Sequence, residues 1–114
     1  MSKIVYVAGS FKNLEKMAMV VQQFRDSGID TLISEPLQSN GIEGCLERIR
    51  KSDITYILNY NGYVGKSVAM DIGYALGLEK TIYALEPIAD PDITHLISGV
   101  ISPNALVNSI KNQK

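Results

Sequence analysis

The stretch Ile4–Ala8, with the sequence IVYVA, and the Gly9–Ser10 pair that follows it set the fold of this chain. A continuous apolar run rich in β-branched residues is typical of a strand that is covered on both faces. From Leu14 to Phe24, apolar residues recur at helical spacing, and polar side chains fall on the opposite face. Gly28 stands where a left-handed C-terminal cap ends a helix. A buried strand that turns directly into an amphipathic helix predicts a parallel strand–helix–strand unit.

The same alternation continues along the rest of the chain. Apolar runs predict four more strands, at Thr31–Ile33, Ile54–Leu58, Thr81–Leu85 and Val100–Ile101. Helical spacing predicts helices around Ile42–Ile49, from Ser67 as N-cap through Leu78, briefly over Pro91–Ser98, and over Ala105–Lys111, while 34–44 is a predicted loop. Such alternation favours an α/β fold: one doubly wound parallel five-stranded sheet, flavodoxin- or Rossmann-like, in the strand order 2-1-3-4-5 with helices on both faces.

Composition restricts the class of protein. The 114 residues fit one domain of the usual ~100–200 residues, so we expect a single domain over 1–114. Eleven Lys and Arg against twelve Asp and Glu give a formal net charge of −1, which argues against a nucleic-acid polymer as partner. The single cysteine, Cys45, excludes an internal disulfide. No apolar run approaches the roughly 20 residues that span a bilayer. The chain begins with strand-like residues rather than a signal peptide, so we expect a cytoplasmic protein without a membrane partner.

Two glycine-bearing loops are the candidate binding elements. In a parallel sheet, ligands bind at the carboxyl ends of the strands, near the point where strand order reverses. The loops Gly9–Asn13 and Asn59–Ser67 leave such ends, and both run into predicted helix N-termini. Free backbone N–H groups and the helix dipole favour an anion there. The residues therefore predict a small anionic ligand between these loops.

Three known phosphate or regulatory motifs do not fit. A Walker A loop ending in Gly65–Ser67 needs a glycine at position 60, where Tyr60 stands. A receiver domain needs acidic residues where strands one and three end, and Ala8 and Asn59 occupy those places. The Gly9–Lys12 turn lacks the second and third glycines of a dinucleotide-binding fingerprint.

Three short motifs, taken in order, indicate a family. Tyr6–Lys12 ends the first strand, Ser52–Ile54 opens the third, and Gly62–Ser67 with Met70–Gly77 follows it. Together they resemble the nucleoside 2-deoxyribosyltransferase superfamily, which includes 2'-deoxynucleoside 5'-phosphate N-hydrolases. The resemblance covers Ile4 to about Glu86. It implies an enzyme that cleaves, or transfers at, the N-glycosidic bond of a 2'-deoxynucleoside or its 5'-monophosphate.

The resemblance also implies roles for individual residues. Asp71 matches the helix-start carboxylate that acts on the sugar, and Tyr6 is expected to orient it. The expected substrate-binding residues are Gly9, Ser10, Lys12, Asn59, Gly62, Gly65 and Ser67, among which Lys12 matches a basic residue of the phosphate-hydrolysing members. Cleavage of an N-glycosidic bond passes through an oxocarbenium-like state that a carboxylate stabilises or captures.

Two positions depart from the family pattern. The family carboxylate is usually Glu, and Asp71 is shorter by roughly 1.5 Å, one C–C bond length. This leaves room for a water, so Asp71 is expected to act either as nucleophile or as general base. The family also has an aspartate near the start of the second helix, where this chain has Cys45 with Glu43 and Glu47 nearby. On its apolar helix face, Cys45 is predicted to be a core residue.

Two other hypotheses remain open from the sequence. In the first, the chain is a non-catalytic nucleotide-binding or sensing module that keeps the pocket without efficient turnover. In the second, it is a structural oligomer, with a closed crevice between the two loops. One Cys and one His (His95) predict no metal site, and no cofactor is expected. The expected partners are a small-molecule nucleoside or nucleotide and, by the resemblance, further copies of the chain in a homodimer or larger homo-oligomer.

Overall fold

In a computed structural model, which describes residues 3–33 and 41–112, five strands pair in parallel within one sheet. In chain order these are β1 Ile4–Gly9, β2 Asp30–Ile33, β3 Ile54–Leu58, β4 Thr81–Ala84 and β5 Gly99–Val100. They lie in the order β2-β1-β3-β4-β5, which confirms the predicted topology. Of the loop predicted over 34–44, residues 34–40 lie outside the described residues, and residues 41–44 are helical instead.

In the described ranges, four α-helices cover the sheet. They are α1 Leu14–Asp26, α2 Gly41–Lys51, α3 Lys66–Gly77 and α4 Pro103–Lys111. Single 3-10 turns occupy Phe11–Asn13, Tyr60–Gly62 and Thr94–Leu96, the last within the predicted short helix. Within the described ranges, none of the helices is both long and apolar enough to cross a membrane.

The helix ends show one correct and one wrong prediction. Gly28 has φ +81° and follows α1, and its N–H donates to the carbonyl of Arg25, so it is the predicted left-handed cap. Ser67 is not the N-cap of α3. Gly65 holds that position and offers no side-chain oxygen, so Ser67 lies inside the first turn with its hydroxyl free for other partners.

Alternate residues of β1 build two separate cores. Val5 and Val7 point to the face that α1 and α4 cover, together with Phe24 of α1 and Tyr56 of β3. Tyr6 and Ala8 point to the opposite face. That face is packed against α2 and α3. A two-residue side-chain period therefore explains why a continuous apolar run is needed here: both faces of the strand are buried.

A hydrogen-bonded bridge joins the loop after β3 to the loop after β4. The buried side chain of Asn59 donates to the carbonyl of Glu86 at 2.7 Å and accepts from its N–H at 3.0 Å. Gly62 accepts from the N–H of Ala89, and its φ of +77° suits glycine. A Cβ atom at Gly62 would lie 2.8 Å from the carbonyl oxygen of Pro87. The bridge fixes the backbone just before the start of α3.

We predict that Asn59→Ala destabilises the fold by about 1–3 kcal/mol, because it leaves the partly buried backbone N–H and C=O of Glu86 without their partner. Urea unfolding followed by circular dichroism measures this. Asn108→Ala, on the exposed side of α4, is the matched control and is expected to change stability by less than about 0.5 kcal/mol. An equally small effect at Asn59 would show that the bridge does not hold the loop.

Candidate functional site

The strand order reverses at β1. The chain leaves β1 through α1 to reach β2 on one side, whereas β3 lies on the other side and is followed by α3 on the opposite face. A crevice opens at the carboxyl ends of β1 and β3, as expected for such a switch point. It is a cavity of about 670 Å³. The closed crevice that the structural-oligomer hypothesis predicts is therefore not present.

The first wall is the segment that leaves β1. A Cβ atom at Gly9 would lie 3.0 Å from the sulfur of Met17 and 3.2 Å from the carbonyl oxygen of Leu58, so glycine lets β1 end this close to its neighbours. The hydroxyl of Ser10 caps the following 3-10 turn by accepting from the N–H of Lys12 at 3.3 Å. Phe11, which is 49% exposed, lies at the cavity mouth on this wall.

The second wall carries two tyrosines from the loop after β3. Tyr60 is partly buried, and the ammonium of Lys16 lies 4.8 Å from its ring centroid in a cation–π contact. Tyr63 is largely exposed, and its ring lies beside Gly65. The rings of Tyr60, Tyr63 and Phe11 thus give the cavity an aromatic rim, which suits contact with a planar ring.

The N-terminus of α3 opens into the cavity without a side-chain cap, because its N-cap residue is Gly65. The first intrahelical bond runs from the N–H of Ala69 to the carbonyl of Gly65 at 2.9 Å. The N–H groups of Lys66, Ser67 and Val68 find no acceptor in the part of the chain that the structure describes. All three residues line the cavity. Their free N–H groups and the helix dipole make this end attractive to an anion.

Asp71 lies one turn further along α3 and supplies the only carboxyl group among the described residues that line the cavity. The residue is 7% exposed, and no described residue forms a hydrogen bond or an ion pair with its side chain. Burial disfavours the charged form and raises the pKa of Asp71 to about 7. A carboxyl group that titrates near neutrality is suited to proton exchange, and in its ionised form it is poorly solvated and reactive.

The α2 wall contributes a thiol to the cavity. Cys45 is partly buried and lines the cavity, so the prediction that it is a core residue is wrong. Neither nearby glutamate replaces the missing family aspartate: Glu43 is exposed, and Glu47 pairs with Lys51 at 3.0 Å on the surface. Both lie outside the lining set. Among the described residues, no group of three or more His, Cys, Asp or Glu side chains is placed to hold a metal ion.

The structure brings together seven of the nine residues predicted for the site. The seven that line the cavity are Tyr6, Gly9, Ser10, Lys12, Gly65, Ser67 and Asp71. The other two, Asn59 and Gly62, do not line the cavity. They belong to the hydrogen-bonded bridge between the loops after β3 and β4. Phe11 and Lys66 also line the cavity. They were not predicted from the sequence, although each lies between two residues that were.

Comparison with solved structures identifies the fold. A conserved protein from Enterococcus faecalis V583 matches with a TM-score of 0.76 and 19% identity, over 100% of both chains. The 2-deoxyribosyltransferase of Bacillus psychrosaccharolyticus matches with a TM-score of 0.69 and 21% identity, over 92% of this chain and 90% of that one. The CMP N-glycosidase BcmB of Clostridium botulinum matches with a TM-score of 0.66 and 15% identity, over 96% of this chain and 98% of that one.

The chain shares the fold of these three proteins. The resemblance inferred from the sequence motifs is thereby confirmed at the level of the fold. No protein-family model matches the chain, and no curated protein matches it at a significant level. At identities of 15–21%, these matches show a shared fold.

We predict that Asp71→Asn stabilises the protein by about 2–4 kcal/mol at pH 8 and has little effect near pH 4. The pKa of Asp71 is higher in the folded chain than in the unfolded one. The folded state therefore binds more protons between about pH 4 and 7, and stability attributable to this group falls as pH rises through that window. An uncharged amide removes the cost of burying the charge.

Urea unfolding of both proteins at the two pH values measures this difference. Asp92→Asn, at an exposed position, is the matched control and is expected to change stability little at either pH. A loss of stability in Asp71→Asn at pH 8 would mean that the ionised carboxylate has a partner that stabilises it.

Proposed function

We propose that this chain is an enzyme that cleaves, or transfers at, the N-glycosidic bond of a 2'-deoxynucleoside or its 5'-monophosphate. The observation that carries the proposal is the buried, unpartnered carboxyl group of Asp71 in an open cavity at the switch point of the sheet. The fold shared with a 2-deoxyribosyltransferase and a CMP N-glycosidase supports the same chemistry.

In the proposed reaction, ionised Asp71 faces the anomeric carbon of the sugar. As the C–N bond breaks, the base leaves with the bonding electron pair and takes up a proton, and positive charge develops on the sugar. The carboxylate either bonds to the anomeric carbon, forming an ester that water or a second base then cleaves, or removes a proton from a water that attacks this carbon. Tyr6, which is buried and lines the same cavity, is proposed to orient the carboxylate.

The remaining lining residues divide by chemistry. The aromatic rim supplies faces on which a nucleobase can stack. Gly9 and Ser10 on one wall, with Gly65 and Ser67 on the other, are proposed to contact the sugar and its 5' substituent. Glycine at positions 9 and 65 lets the backbone approach the substrate closely.

A second candidate function is a non-catalytic nucleotide-binding or sensing module. It is favoured by the α2 wall, where Cys45 contributes a thiol to the cavity and neither Glu43 nor Glu47 lines it. A thiol is a weaker hydrogen-bond donor to a departing base than a carboxylic acid is, so turnover would depend on Asp71 alone. This hypothesis predicts nucleotide binding without release of base.

The experiment that tests the proposal is chromatographic. Purified protein is incubated with a panel of deoxynucleosides and their 5'-monophosphates, with and without a free acceptor base. We expect the wild type to release free base and Asp71→Asn to lower the rate by about 10²–10⁴-fold. A new nucleoside in the acceptor samples would assign a transferase. Equal release by wild type and Asp71→Asn would contradict the role of Asp71, and binding without release would favour the sensing module.

The pH profile and one further variant separate the two roles of Asp71. Both roles need the ionised carboxylate, so kcat/KM is expected to rise with pH through about 7 and then level off. Asp71→Glu moves the carboxylate about 1.5 Å towards the substrate. If Asp71 is the nucleophile, this variant retains or gains activity. If it activates a water, the longer side chain occupies the water's place and hydrolysis falls by about 100-fold.

A further inference from the structure

The Tyr60–Gly62 turn, which follows β3, has an unusual backbone. Asn61 has φ +61° and ψ +18°, and Gly62 follows it with φ +77°. Two consecutive residues therefore lie in the left-handed region, which glycine adopts freely and which costs energy for a residue with a Cβ atom, although Asn tolerates it better than most. Such a conformation persists where the surrounding structure holds it, and it is common in segments that bind ligands.

The residue that holds this turn is Glu86, just beyond the end of β4. Its carboxylate accepts a hydrogen bond from the N–H of Asn61 at 2.9 Å. Its backbone N–H and C=O bind the side chain of Asn59. A hydrogen bond to an ionised group is about twice as strong as one between neutral groups. Glu86 therefore fixes the residues on both sides of Tyr60.

The segment that carries Glu86 is itself tied to the sheet. The N–H of Leu85 donates to the carbonyl of Ile57 at 2.9 Å, so the pairing of β4 with β3 continues up to the residue before Glu86. On the other side of Glu86, the N–H of Ala89 donates to the carbonyl of Gly62 at 3.0 Å. The carboxylate therefore acts on the turn from a backbone that the sheet holds in place.

Tyr60 lies between the two held residues, and its ring lines the cavity. Burial first, and the negative charge of Glu86 second, raise the pKa of the Tyr60 hydroxyl, so the carboxylate is close enough to act on this side chain. Glu86 is partly buried and is not among the described residues that line the cavity. An effect of Glu86 on a bound ligand therefore passes through the turn that it holds.

We propose that Glu86 is a positioning residue for the ligand: its carboxylate holds Asn61 in the left-handed conformation and thereby sets the ring of Tyr60 against the planar part of the ligand. That this planar part is a nucleobase rests on the proposed function.

Calorimetric titration tests the proposal separately from catalysis. Asp71→Asn protein, which is expected not to consume the ligand, is titrated with 2'-deoxynucleoside 5'-monophosphates and with 2-deoxyribose 5-phosphate, which has no base. Adding Glu86→Ala is expected to weaken monophosphate binding by about 10-fold at unchanged stoichiometry, because a misplaced Tyr60 ring loses its stacking on the base. The same variant is expected to leave binding of the sugar phosphate unchanged.

Two further variants serve as a rescue and a control. Glu86→Gln keeps an oxygen that accepts from the N–H of Asn61, so it is expected to bind the monophosphate within about 3-fold of the parent protein. Glu15→Ala, at an exposed position in the first turn of α1, removes a carboxylate outside the lining set and is expected to change neither affinity.

A double-mutant cycle tests whether Glu86 acts through Tyr60. Tyr60→Ala removes the ring and is expected to weaken monophosphate binding by about 10-fold. If Glu86 acts by placing this ring, Glu86→Ala has no further effect once the ring is gone, so the double variant binds as Tyr60→Ala does. Losses that multiply in the double variant would overturn the proposed route.

The remaining outcomes separate positioning from a merely structural role. If Glu86 only stabilises the fold, Glu86→Ala lowers the fraction of folded protein, so the stoichiometry falls while the affinity of the folded fraction is unchanged. That result overturns the proposal. An equal loss of affinity for the sugar phosphate also overturns it, because the effect is then not on the wall that faces the base. No binding of any monophosphate to the parent protein overturns it as well.

The same variants distinguish this proposal from glycosidic cleavage. In the chromatographic assay, Glu86→Ala with Asp71 intact is expected to raise KM by about 10-fold and to change kcat by less than about 2-fold, because contact with the base is lost equally in the ground state and the transition state. Release of base with an unchanged KM overturns positioning and leaves cleavage standing. Glu86-dependent binding without release of base by the wild type supports positioning and overturns cleavage.

Discussion

The pairing of β1 with β3 is the constraint on which the rest of the structure depends. The two strands run side by side in parallel from Val5 opposite Ile54 to Gly9 opposite Leu58. Their side chains enter both cores, so the α1–α4 layer and the α2–α3 layer are both fixed against this pair. Because the chain continues from the two strands onto opposite faces, the segments that leave their carboxyl ends separate and leave an open crevice. The geometry of the site therefore follows from the topology of the sheet.

The crevice holds a group that the fold itself does not need. A carboxyl group buried without a partner costs stability at neutral pH, and no described residue offsets the cost at Asp71. Such a group persists where its reactivity is useful, since function and stability often compete at the same position. The residues that line the cavity differ in chemistry with their position. Exposed lysines and free N–H groups lie at the mouth, aromatic rings lie at the rim, and the carboxyl group lies deeper. This arrangement suits one ligand with three chemically different parts.

The sequence predicts the strands, their order and most of the site, because these follow from local patterns. Continuous apolar runs mark strands buried on both faces, and a glycine after the periodic residues marks the end of α1. What local patterns do not predict are contacts between distant segments. Asn59 follows β3 and was expected to touch substrate, but it is held by the backbone of Glu86, 27 residues away. Cys45 was expected in the core because it lies on the apolar face of its helix. At Cys45, however, this face borders the cavity. Ser67 was expected to be the N-cap of α3, but the helix begins one residue earlier, at Lys66.

The central claim is that Asp71 is a buried carboxyl group with its proton poised for exchange, and its titration tests this most directly. Carbon-13 NMR of the Asp71 carboxyl group, assigned by comparison with Asp71→Asn, follows the midpoint as pH is varied. The account predicts a midpoint at about 7, shifted when a nucleotide occupies the cavity. A midpoint near 4, the value of an ordinary aspartate, that does not respond to nucleotide would contradict it.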